Sequence, residues 1–366
     1  MSVTHPNIEL DFEVKSQALN KGNLSKRARS KFLSERLSQT LFDYACEVDS
    51  PLKRTYGNSV RCCSKVTIEN GKTRSEYCKN RCCIVCSRIK CASDINNYKD
   101  SYQEKMINPY FLTLTLRNVD GFALRPKIKQ MFKTWDKIRD SYRKKYPSRK
   151  VIGFLKLECT YNRRADTYHP HFHFLGEDEH FCKYAKDKWF FHYKNECYKT
   201  YQKSIKVTLE YNENGDRNFK ELQEIFKYVA KVVSGQNKKE EEDDPIVNAK
   251  SLDTIYLAMS RIRCLKFYGL KKKKLSVEEE VEQAEQLESD EAPESAQEQE
   301  VFVWQSDNWY STESGEALTD FEVWKKERNF ELMIEKGKIY NRTLTRKLRI
   351  MKSLRKAEKP FVSKYF

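Results

Sequence analysis

The chain has 366 residues, of which 39% are hydrophobic and 13% aromatic, enough for one large domain or two smaller ones. Its formal net charge is +16, and residues 276–300 hold eleven acidic and no basic side chains, so the other 341 residues carry +27. An excess of this size indicates a polyanionic partner. With no apolar run near the roughly 18 residues of a membrane span, and no apolar secretory stretch at the N-terminus, we expect nucleic acid rather than a membrane, in the cytoplasm.

The N-terminal region, residues 1–50, is predicted to contain a basic amphipathic helix over residues 22–45. Its apolar side chains lie loosely on one side: Leu24, Phe32, Leu37 and Leu41. A cysteine-rich module follows at residues 51–100, where seven of the twelve cysteines fall between Cys62 and Cys91. Cysteines gathered locally, rather than spaced along a short secreted chain, indicate a reducing compartment and a metal site.

Within this module, Cys83 and Cys86 have the Cys-x₂-Cys spacing that presents two thiolates to one tetrahedral Zn²⁺. We predict that a structural zinc site is completed by two more cysteines, the full set being Cys63, Cys78, Cys83 and Cys86, with Cys62 and Cys82 as alternatives. Buried thiols without a metal are the other interpretation. Basic residues surround the cluster, which makes the module a candidate for binding double-stranded DNA through its phosphates.

Residues 101–270 mix predicted strands and helices, which favours an α+β fold with a largely antiparallel sheet. The predicted elements are a strand at 110–116, a helix at 126–143, two strands at 151–160 and 169–175 that form a hairpin, a strand at 205–211 that ends at a turn at 214–216, and a helix at 218–233.

Three of the six histidines, His169, His171 and His173, occupy alternate positions in one of these strands. Residues two apart in a strand point to the same face, so the three imidazoles project together. Neutral imidazole is the commonest protein ligand for transition metals. The pattern therefore predicts a metal or phosphate site, the alternative being histidines tolerated on a half-buried strand.

A carboxylate is expected on the same face. If residues 161–168 close a regular hairpin, Thr160 pairs with His169 and Glu158 lies opposite His171. Nitrogen and oxygen ligands together suit Mg²⁺ or Mn²⁺ with open coordination positions, or Zn²⁺. A solvated strand carboxylate is the alternative interpretation of Glu158.

The predicted helix at 218–233 gathers Glu224, Tyr228 and Lys231 on its polar side, at i, i+4 and i+7. A tyrosyl oxygen attacks phosphorus well once a metal and a lysine neutralise the developing charge. A nucleophilic role for Tyr228 is therefore a hypothesis that depends on the metal site, and an ordinary surface tyrosine is the alternative.

These motifs resemble those of a known family. His171-Phe172-His173 is similar to the HUH motif of the rolling-circle replication initiators of small bacterial plasmids. Residues 111–118 are similar to their first motif and residues 228–231 to their third, in the expected order. With flanking similarities at 158–162, 168–173 and 261–269, the resemblance runs from about residue 60 to 270.

The resemblance implies the fold of an HUH endonuclease core, which is a central five-stranded antiparallel sheet flanked by helices. In that fold the histidine strand lies in the middle of the sheet. It also implies a metal-dependent nickase and strand transferase acting on plasmid DNA at a single-stranded site in the double-strand origin. By this analogy His171 and His173, with His169 or Glu158, hold Mg²⁺ or Mn²⁺. Tyr228 forms a 5′-phosphotyrosine and frees a 3′-hydroxyl that primes synthesis, while Lys231 steadies the phosphate.

Members of the family differ in how the replication cycle ends. In some a second tyrosine attacks, and in others a carboxylate activates water. Val232 lies one turn after Tyr228, so no second tyrosine stands at that spacing, whereas Glu224 lies one turn before it. The resemblance therefore implies that Glu224 is the general base of the terminating hydrolysis. It also implies a host helicase and DNA polymerase as partners, and it leaves the oligomeric state open.

The remaining regions are predicted from composition. Residues 271–300 read as an acidic disordered linker, because they cannot bury enough apolar surface to order themselves. Residues 301–366 are predicted to form a basic, helical C-terminal region, which regains aromatic side chains and ends in a basic run at 342–356. That run could touch DNA, recruit host replication proteins or simply pack as a solvated helix.

Other functions stay open at this point. An HUH transposase shares the chemistry, whereas a conjugative relaxase is disfavoured because its tyrosine usually precedes the histidines. A histidine-triad nucleotide hydrolase is suggested by residues 169–175, but Pro170 and the basic excess fit it poorly. A non-catalytic zinc-dependent DNA-binding protein is the third alternative.

Overall fold

The computed structural model describes residues 21–69, 72–162, 165–211, 217, 219, 248–273 and 300–323. Within these residues the chain forms a mixed α/β structure with two antiparallel sheets. The helices are α1 (Lys21–Glu47), α2 (Lys53–Val60), α3 (Ile84–Lys105), α4 (Gly121–Lys145), α5 (Glu179–His192) and α6 (Ala249–Met259). The strands are β1 (Lys65–Glu69), β2 (Lys72–Ser75), β3 (Tyr110–Thr115), β4 (Gly153–Asn162), β5 (Thr167–Gly176), β6 (Lys203–Lys206), β7 (Leu265–Tyr268), β8 (Glu300–Trp304) and β9 (Trp309–Ser311). None of the described helices combines the length and the apolar character needed to cross a lipid bilayer.

The larger sheet has five strands in the order β6-β3-β5-β4-β7, and all neighbouring pairs are antiparallel. The histidine strand β5 is therefore central, as the resemblance implied. The hairpin predicted from the sequence is formed by β4 and β5. Its register is the predicted one, with Glu158 opposite His171 and Thr160 opposite His169.

One face of this sheet is covered by α4 and α5. The buried side chains of α4 recur every three or four residues, which places them along one stripe of the helix. Trp135 lies in the middle of this stripe, fully buried, with its ring against Phe172, Phe174 and Phe181. This packing forms the main hydrophobic core and supports β5 on the face opposite its histidines.

The opposite face is covered only at one end within the described residues. There Tyr98 and Tyr102 of α3 pack on Phe154 of β4, in a cluster that includes Leu175 of β5. Toward the other end of the same strands the side chains on this face become polar. The metal-ligating candidates lie in that polar part.

The smaller sheet has the order β2-β1-β8-β9 and joins strands that are far apart in the sequence. In the β1–β8 pair, Lys65 lies opposite Val303. The indole Nε1 of buried Trp309 donates to the carbonyl oxygen of Cys63 at 2.9 Å. The buried Nζ of Lys31 on α1 donates to the carbonyl oxygen of Val60 at 2.8 Å. Residues after 300 thus fold against the cysteine-rich module.

Helix α6 connects the two parts of the molecule. The Asp253 carboxylate accepts hydrogen bonds from the hydroxyls of Ser50 and Tyr56, both at 2.8 Å. Arg125 of α4 donates to the carbonyl oxygens of Leu257 and Ser260, where α6 ends and its carbonyls lack partners within the helix.

Two predicted elements differ in their bounds. Helix α4 begins at Gly121 rather than at 126, because fully buried Leu124 anchors its first turn and Pro126 costs only one intrahelical hydrogen bond there. The strand predicted at 205–211 is observed as β6, which ends at Lys206. Its partner β3 begins at Tyr110. Beyond that point Val207 N donates to the backbone oxygen of Pro109 at 2.8 Å, but Pro109 has no N–H with which to continue the ladder.

The C-terminal prediction also differs where it is described, because residues after 300 form two strands rather than a helix. Phe219 has a φ of +53° and is not helical. The rest of the helix predicted at 218–233, residues 274–299 of the acidic linker and the basic run at 342–356 lie outside the described residues.

Candidate functional site

The predicted metal ligands on the central hairpin do lie together. Glu158 on β4 and His171 and His173 on β5 offer ligand atoms that are all within 4.8 Å of one another. The Nε2 atoms of the two imidazoles lie 3.4 Å and 3.2 Å from the same Glu158 oxygen, Oε2. The antiparallel register produces this arrangement, because it places these side chains on one face of two neighbouring strands.

Hydrogen bonds at the far side of each ring orient the two imidazoles. His171 Nδ1 lies 3.0 Å from the backbone oxygen of His169, and Nε2 on the other side of the ring faces Glu158. His173 Nδ1 lies 3.2 Å from the hydroxyl of Thr113 on β3. Contacts of this kind fix the tautomer and the angle of metal-binding histidines.

A buried cation completes the polar face. Lys156, only 4% exposed, places Nζ 2.5 Å from Glu158 Oε1. Burial acts to raise the pKa of Glu158, but the Lys156 ammonium and the hydrogen bonds from His171 and His173 hold that pKa well below its usual range. Glu158 is therefore a carboxylate at neutral pH, the form that ligates a metal.

His169 lies apart from this group. Its ring stacks on that of His171 with centroids 5.1 Å apart, but it is not among the side chains whose ligand atoms converge. Burial, and then the neighbouring His171, lower the pKa of His169 to about 4, so its imidazole is neutral. Of the two residues that the resemblance offered to complete the ligand set, the structure brings Glu158 to the two histidines.

The three converging groups suit a divalent metal. Two imidazole nitrogens and one carboxylate oxygen are ligands for Mn²⁺, Mg²⁺ or Zn²⁺, and three protein ligands leave positions for water or a phosphate oxygen. The side chains retain 10–13% exposure, so the face is partly open to solvent. The arrangement can therefore hold a metal where a substrate reaches it. The predicted residues Glu224, Tyr228 and Lys231 lie outside the described residues.

A second group of converging ligands lies in the cysteine-rich module. The sulfur atoms of Cys62, Cys78, Cys83 and Cys86 are all within 4.8 Å of one another. Cys62 Sγ and Cys86 Sγ are 3.4 Å apart, and Cys78 Sγ and Cys86 Sγ are 3.6 Å apart. Four sulfurs at about 2.3 Å from a tetrahedral ion would be separated by about 3.8 Å, so this group fits one ion closely.

Backbone amides support these sulfurs. Lys79 N donates to Cys86 Sγ at 3.2 Å, Asn80 N to Cys78 Sγ at 3.5 Å, and Cys78 N to Cys62 Sγ at 3.4 Å. Hydrogen bonds from Cys62, and then from Cys83 and Cys86, lower the pKa of the Cys78 thiol. Donors directed at sulfur stabilise the thiolate, which is the form that binds a metal.

The four converging cysteines differ at one position from the zinc ligand set predicted from the sequence. Cys62, the predicted alternative, joins the group, whereas the Cys63 sulfur accepts a hydrogen bond from Ser75 Oγ at 3.3 Å. Cys63 has a φ of +56°, so the backbone turns sharply between these neighbours and their side chains diverge. Cys82 is buried beside Ser59 and acts as a small apolar side chain; burial raises its pKa to about 12.

Two residues on the sheet face that carries the histidines were not predicted from the sequence. Lys156 stands two residues before Glu158, so strand alternation alone could have placed it on the same face. Thr113 contacts His173 across β3 and β5, and only the register of two strands 60 residues apart reveals that contact.

The described fold and its two ligand groups define a class: a basic, mixed α/β protein with a histidine–carboxylate centre on an antiparallel sheet and a separate four-cysteine group. Comparison with known families goes further, because the sequence model described as "Replication protein" matches residues 71–313. That match covers more than half of the chain. The chain therefore belongs to the replication protein family.

Individual relatives agree with this assignment. The chain is 36% identical over 121 residues to "Protein rep" of a Bacillus species, which covers 29% of this chain and 36% of the relative. It is 36% identical over 113 residues to "Protein rep" of Bacillus amyloliquefaciens, an alignment that covers 28% of this chain and 31% of the relative. It is 34% identical over 122 residues to "Protein rep" of Staphylococcus aureus, which covers 30% of this chain and 49% of the relative. The alignments thus span between about a third and a half of each relative. No solved structure gives a significant match.

Proposed function

We propose that the protein initiates rolling-circle replication of a plasmid as an HUH-type nickase and strand transferase. The observation that carries this proposal is the group formed by Glu158, His171 and His173, partly open to solvent on the central hairpin of a replication-family chain. The site combines an ionised carboxylate with two oriented imidazoles. Such a site suits a phosphodiester substrate, because a bound metal would polarise a phosphoryl oxygen and stabilise the negative charge that develops there.

Glu158 Oε2 and the two Nε2 atoms would hold the metal, Mg²⁺ or Mn²⁺. Bound there, the ion would polarise the scissile phosphate and neutralise the charge that develops on it. Lys156 would keep Glu158 ionised and fixed through Oε1, leaving Oε2 for the metal. Thr113 would hold the His173 ring at its angle.

The nucleophile in this proposal is Tyr228. Its phenolic oxygen, on losing its proton, attacks the scissile phosphorus, and the bond from phosphorus to the 3′ oxygen breaks. The 3′ oxygen takes up a proton and becomes the hydroxyl that primes synthesis, while the 5′ phosphate stays linked to the tyrosine. Lys231 would steady the phosphate. Tyr228 and Lys231 are given these roles because residues 228–231 resemble the third motif of the family.

Termination is assigned to Glu224. Acting as general base, it would take a proton from water as the water oxygen attacks the phosphorus. The bond from phosphorus to the tyrosyl oxygen then breaks, which leaves a 5′ phosphate on the DNA, and the tyrosyl oxygen takes up a proton. Glu224→Ala should slow the release of unlinked circles while leaving the first nick in place, and Glu221→Ala, one turn away in sequence, serves as the matched control. Normal release by Glu224→Ala would remove this role.

The cysteine group is proposed to bind structural Zn²⁺ through Cys62, Cys78, Cys83 and Cys86, in a module that recognises the double-strand origin. The proposed division of the chain is an N-terminal helical region to residue 50, this module at 51–100, the endonuclease at 101–270, a linker to 300 and a C-terminal region beyond. We further propose that the protein acts in the cytoplasm with a host helicase and DNA polymerase.

A covalent-capture experiment tests the nickase. Purified protein is incubated with single-stranded DNA from its own plasmid and Mn²⁺, and the products are separated on a denaturing gel. We expect a metal-dependent protein–DNA adduct that mass spectrometry maps to Tyr228. Tyr228→Phe should abolish the adduct, whereas Tyr211→Phe, at an exposed tyrosine, should retain it. DNA binding without any adduct would contradict the nickase and favour a binding protein.

A further inference from the structure

A large groove separates the cysteine group from the edge of the five-stranded sheet. One wall is the turn around residues 76–82 with the first half of α3, and the other is the end of α6 with strand β7. Its volume is about 1,200 Å³, above the range of about 300–1,000 Å³ that is typical of small-molecule sites. The groove is therefore large enough for a polymeric ligand.

The groove is lined by more basic than acidic side chains. The basic ones are Lys79, Arg81, Lys90, Arg261 and Arg263, against Glu76 and Asp94. Asp94 is 2% exposed and forms an ion pair with Lys90, so its charge is already balanced. The net field inside the groove is positive and favours an anionic ligand.

The Arg81 guanidinium forms part of the wall itself. It donates to the backbone oxygens of Met259 and Ile262 at 3.1 Å and 2.9 Å, which joins the cysteine-rich module to the loop that precedes β7. These acceptors are neutral, so they hold the guanidinium in place without cancelling its charge. A fixed cation of this kind suits phosphate recognition.

Two exposed cations at the groove are held in an uncommon backbone conformation. Lys79 has a φ of +55° and Arg261 a φ of +58°, a region that carries a steric cost for residues with a β-carbon. At Lys79 this cost is offset by the bond from its amide to Cys86 Sγ. Within the described residues, neither side chain forms an ion pair with a carboxylate. Both charges are thus available to a ligand.

The groove leads to the histidine face. Lys156 lies opposite Leu265 in the β4–β7 pair, and Leu157 N donates to the backbone oxygen of Cys264 at 2.7 Å. Leu265 lines the groove, and Lys156 contacts the Glu158 carboxylate. A strand lying in the groove would therefore pass from the cysteine group to the candidate metal ligands.

We propose that this groove binds single-stranded DNA and guides it to the Glu158–His171–His173 site, an inference that rests on the proposed function. Half-buried Tyr77 and Phe267 line the groove beside its cations, with one face of the Phe267 ring stacked on Tyr98 at 3.9 Å between centroids. Aromatic rings among basic side chains are typical of single-strand binding. A duplex, in contrast, is usually recognised by elements that project into its major groove, not by a concave groove.

Binding can be measured by fluorescence anisotropy with a fluorescein-labelled oligothymidylate, in the full-length Tyr228→Phe protein without added metal. The charge-reversal pair Arg261→Glu and Arg263→Glu should weaken binding on the order of 100-fold at low salt. The control pair Lys144→Glu and Lys145→Glu, exposed at the end of α4, changes the net charge equally and should weaken it only a few-fold. Equal losses in the two pairs would overturn the proposal.

A second measurement does not depend on charge. An oligonucleotide containing 4-thiothymidine, cross-linked by light to the Tyr228→Phe protein, should attach to peptides that contain Tyr77 or Phe267. Cross-links confined to other peptides would contradict the proposal, even if a charge-reversal variant folds poorly. Because Tyr228→Phe cannot form the covalent adduct, groove binding can succeed when nicking fails, and the two hypotheses are tested separately.

Discussion

The two ligand groups are built in opposite ways. The histidine–carboxylate group uses two adjacent strands of a regular hairpin, has three ligands and lies on a partly open face. The cysteine group uses a turn, the residues after α2 and the start of α3, and it has four ligands supported by backbone amides. A closed set of four thiolates is typical of structural sites, whereas an open position is typical of catalytic ones. Loss of the cysteine group is therefore expected to affect folding, and loss of the histidine–carboxylate group is expected to affect chemistry.

The largest expected effect is on the cysteine group. Cys62→Ser should abolish stoichiometric zinc and unfold the module, because structural zinc contributes about 10–16 kcal/mol of apparent binding free energy to folding. Cys63→Ser, at the adjacent buried cysteine, should retain the metal. Zinc per chain by mass spectrometry and the thermal unfolding midpoint measure both effects. If Cys63→Ser lost zinc and Cys62→Ser kept it, the proposed ligand set would be wrong.

The buried ion pair on the histidine face should give the next largest effect. Lys156→Met leaves Glu158 without its cation and should lower the free energy of unfolding by about 3–5 kcal/mol in the metal-free protein. Mn²⁺ should restore part of this loss, because it supplies the missing positive charge. Urea unfolding with and without Mn²⁺ measures the effect, with Lys266→Met at a half-buried lysine as control. A loss that Mn²⁺ leaves unchanged would indicate that the metal does not bind Glu158.

His171→Ala sharpens the contrast between folding and chemistry. We expect adduct formation to fall on the order of 10²–10³-fold, since stabilisation of the phosphate charge is lost. The thermal midpoint should change little, because Trp135 and Phe172 support the strand from the other face. His192→Ala, on α5, is the matched control. A nicking rate unaffected by His171→Ala would contradict the assignment of the active site.

The smallest expected effect concerns ring orientation. Thr113→Val keeps the shape of the strand but removes the hydroxyl that contacts His173 Nδ1. We expect about a tenfold loss of Mn²⁺ affinity, measured by isothermal titration calorimetry. Thr160→Val, exposed on β4, should bind Mn²⁺ normally. Unchanged affinity in Thr113→Val would mean that packing alone orients the ring.

Local pattern was sufficient for much of this protein. Strand alternation predicts the common face of His169, His171 and His173, because the period of a strand is two. The pairing of Glu158 with His171 required the further assumption of a regular hairpin at residues 161–168, and the structure confirms it. The motifs by themselves also indicate the replication protein family. Helix α1 was predicted to within two residues at each end, because its apolar residues recur with a helical period.

Other features depended on tertiary structure. Spacing treats Cys62 and Cys63 alike, and only the left-handed turn at Cys63 selects between them. The pairing of β1 with β8 joins residues more than 200 positions apart, and nothing local encodes it. The same holds for the basic groove, whose two walls meet through the contact of Arg81 with the loop before β7. The sequence by itself determined features that follow the period of a single strand or helix. Contacts between side chains of elements far apart in the sequence form only when those elements pack together.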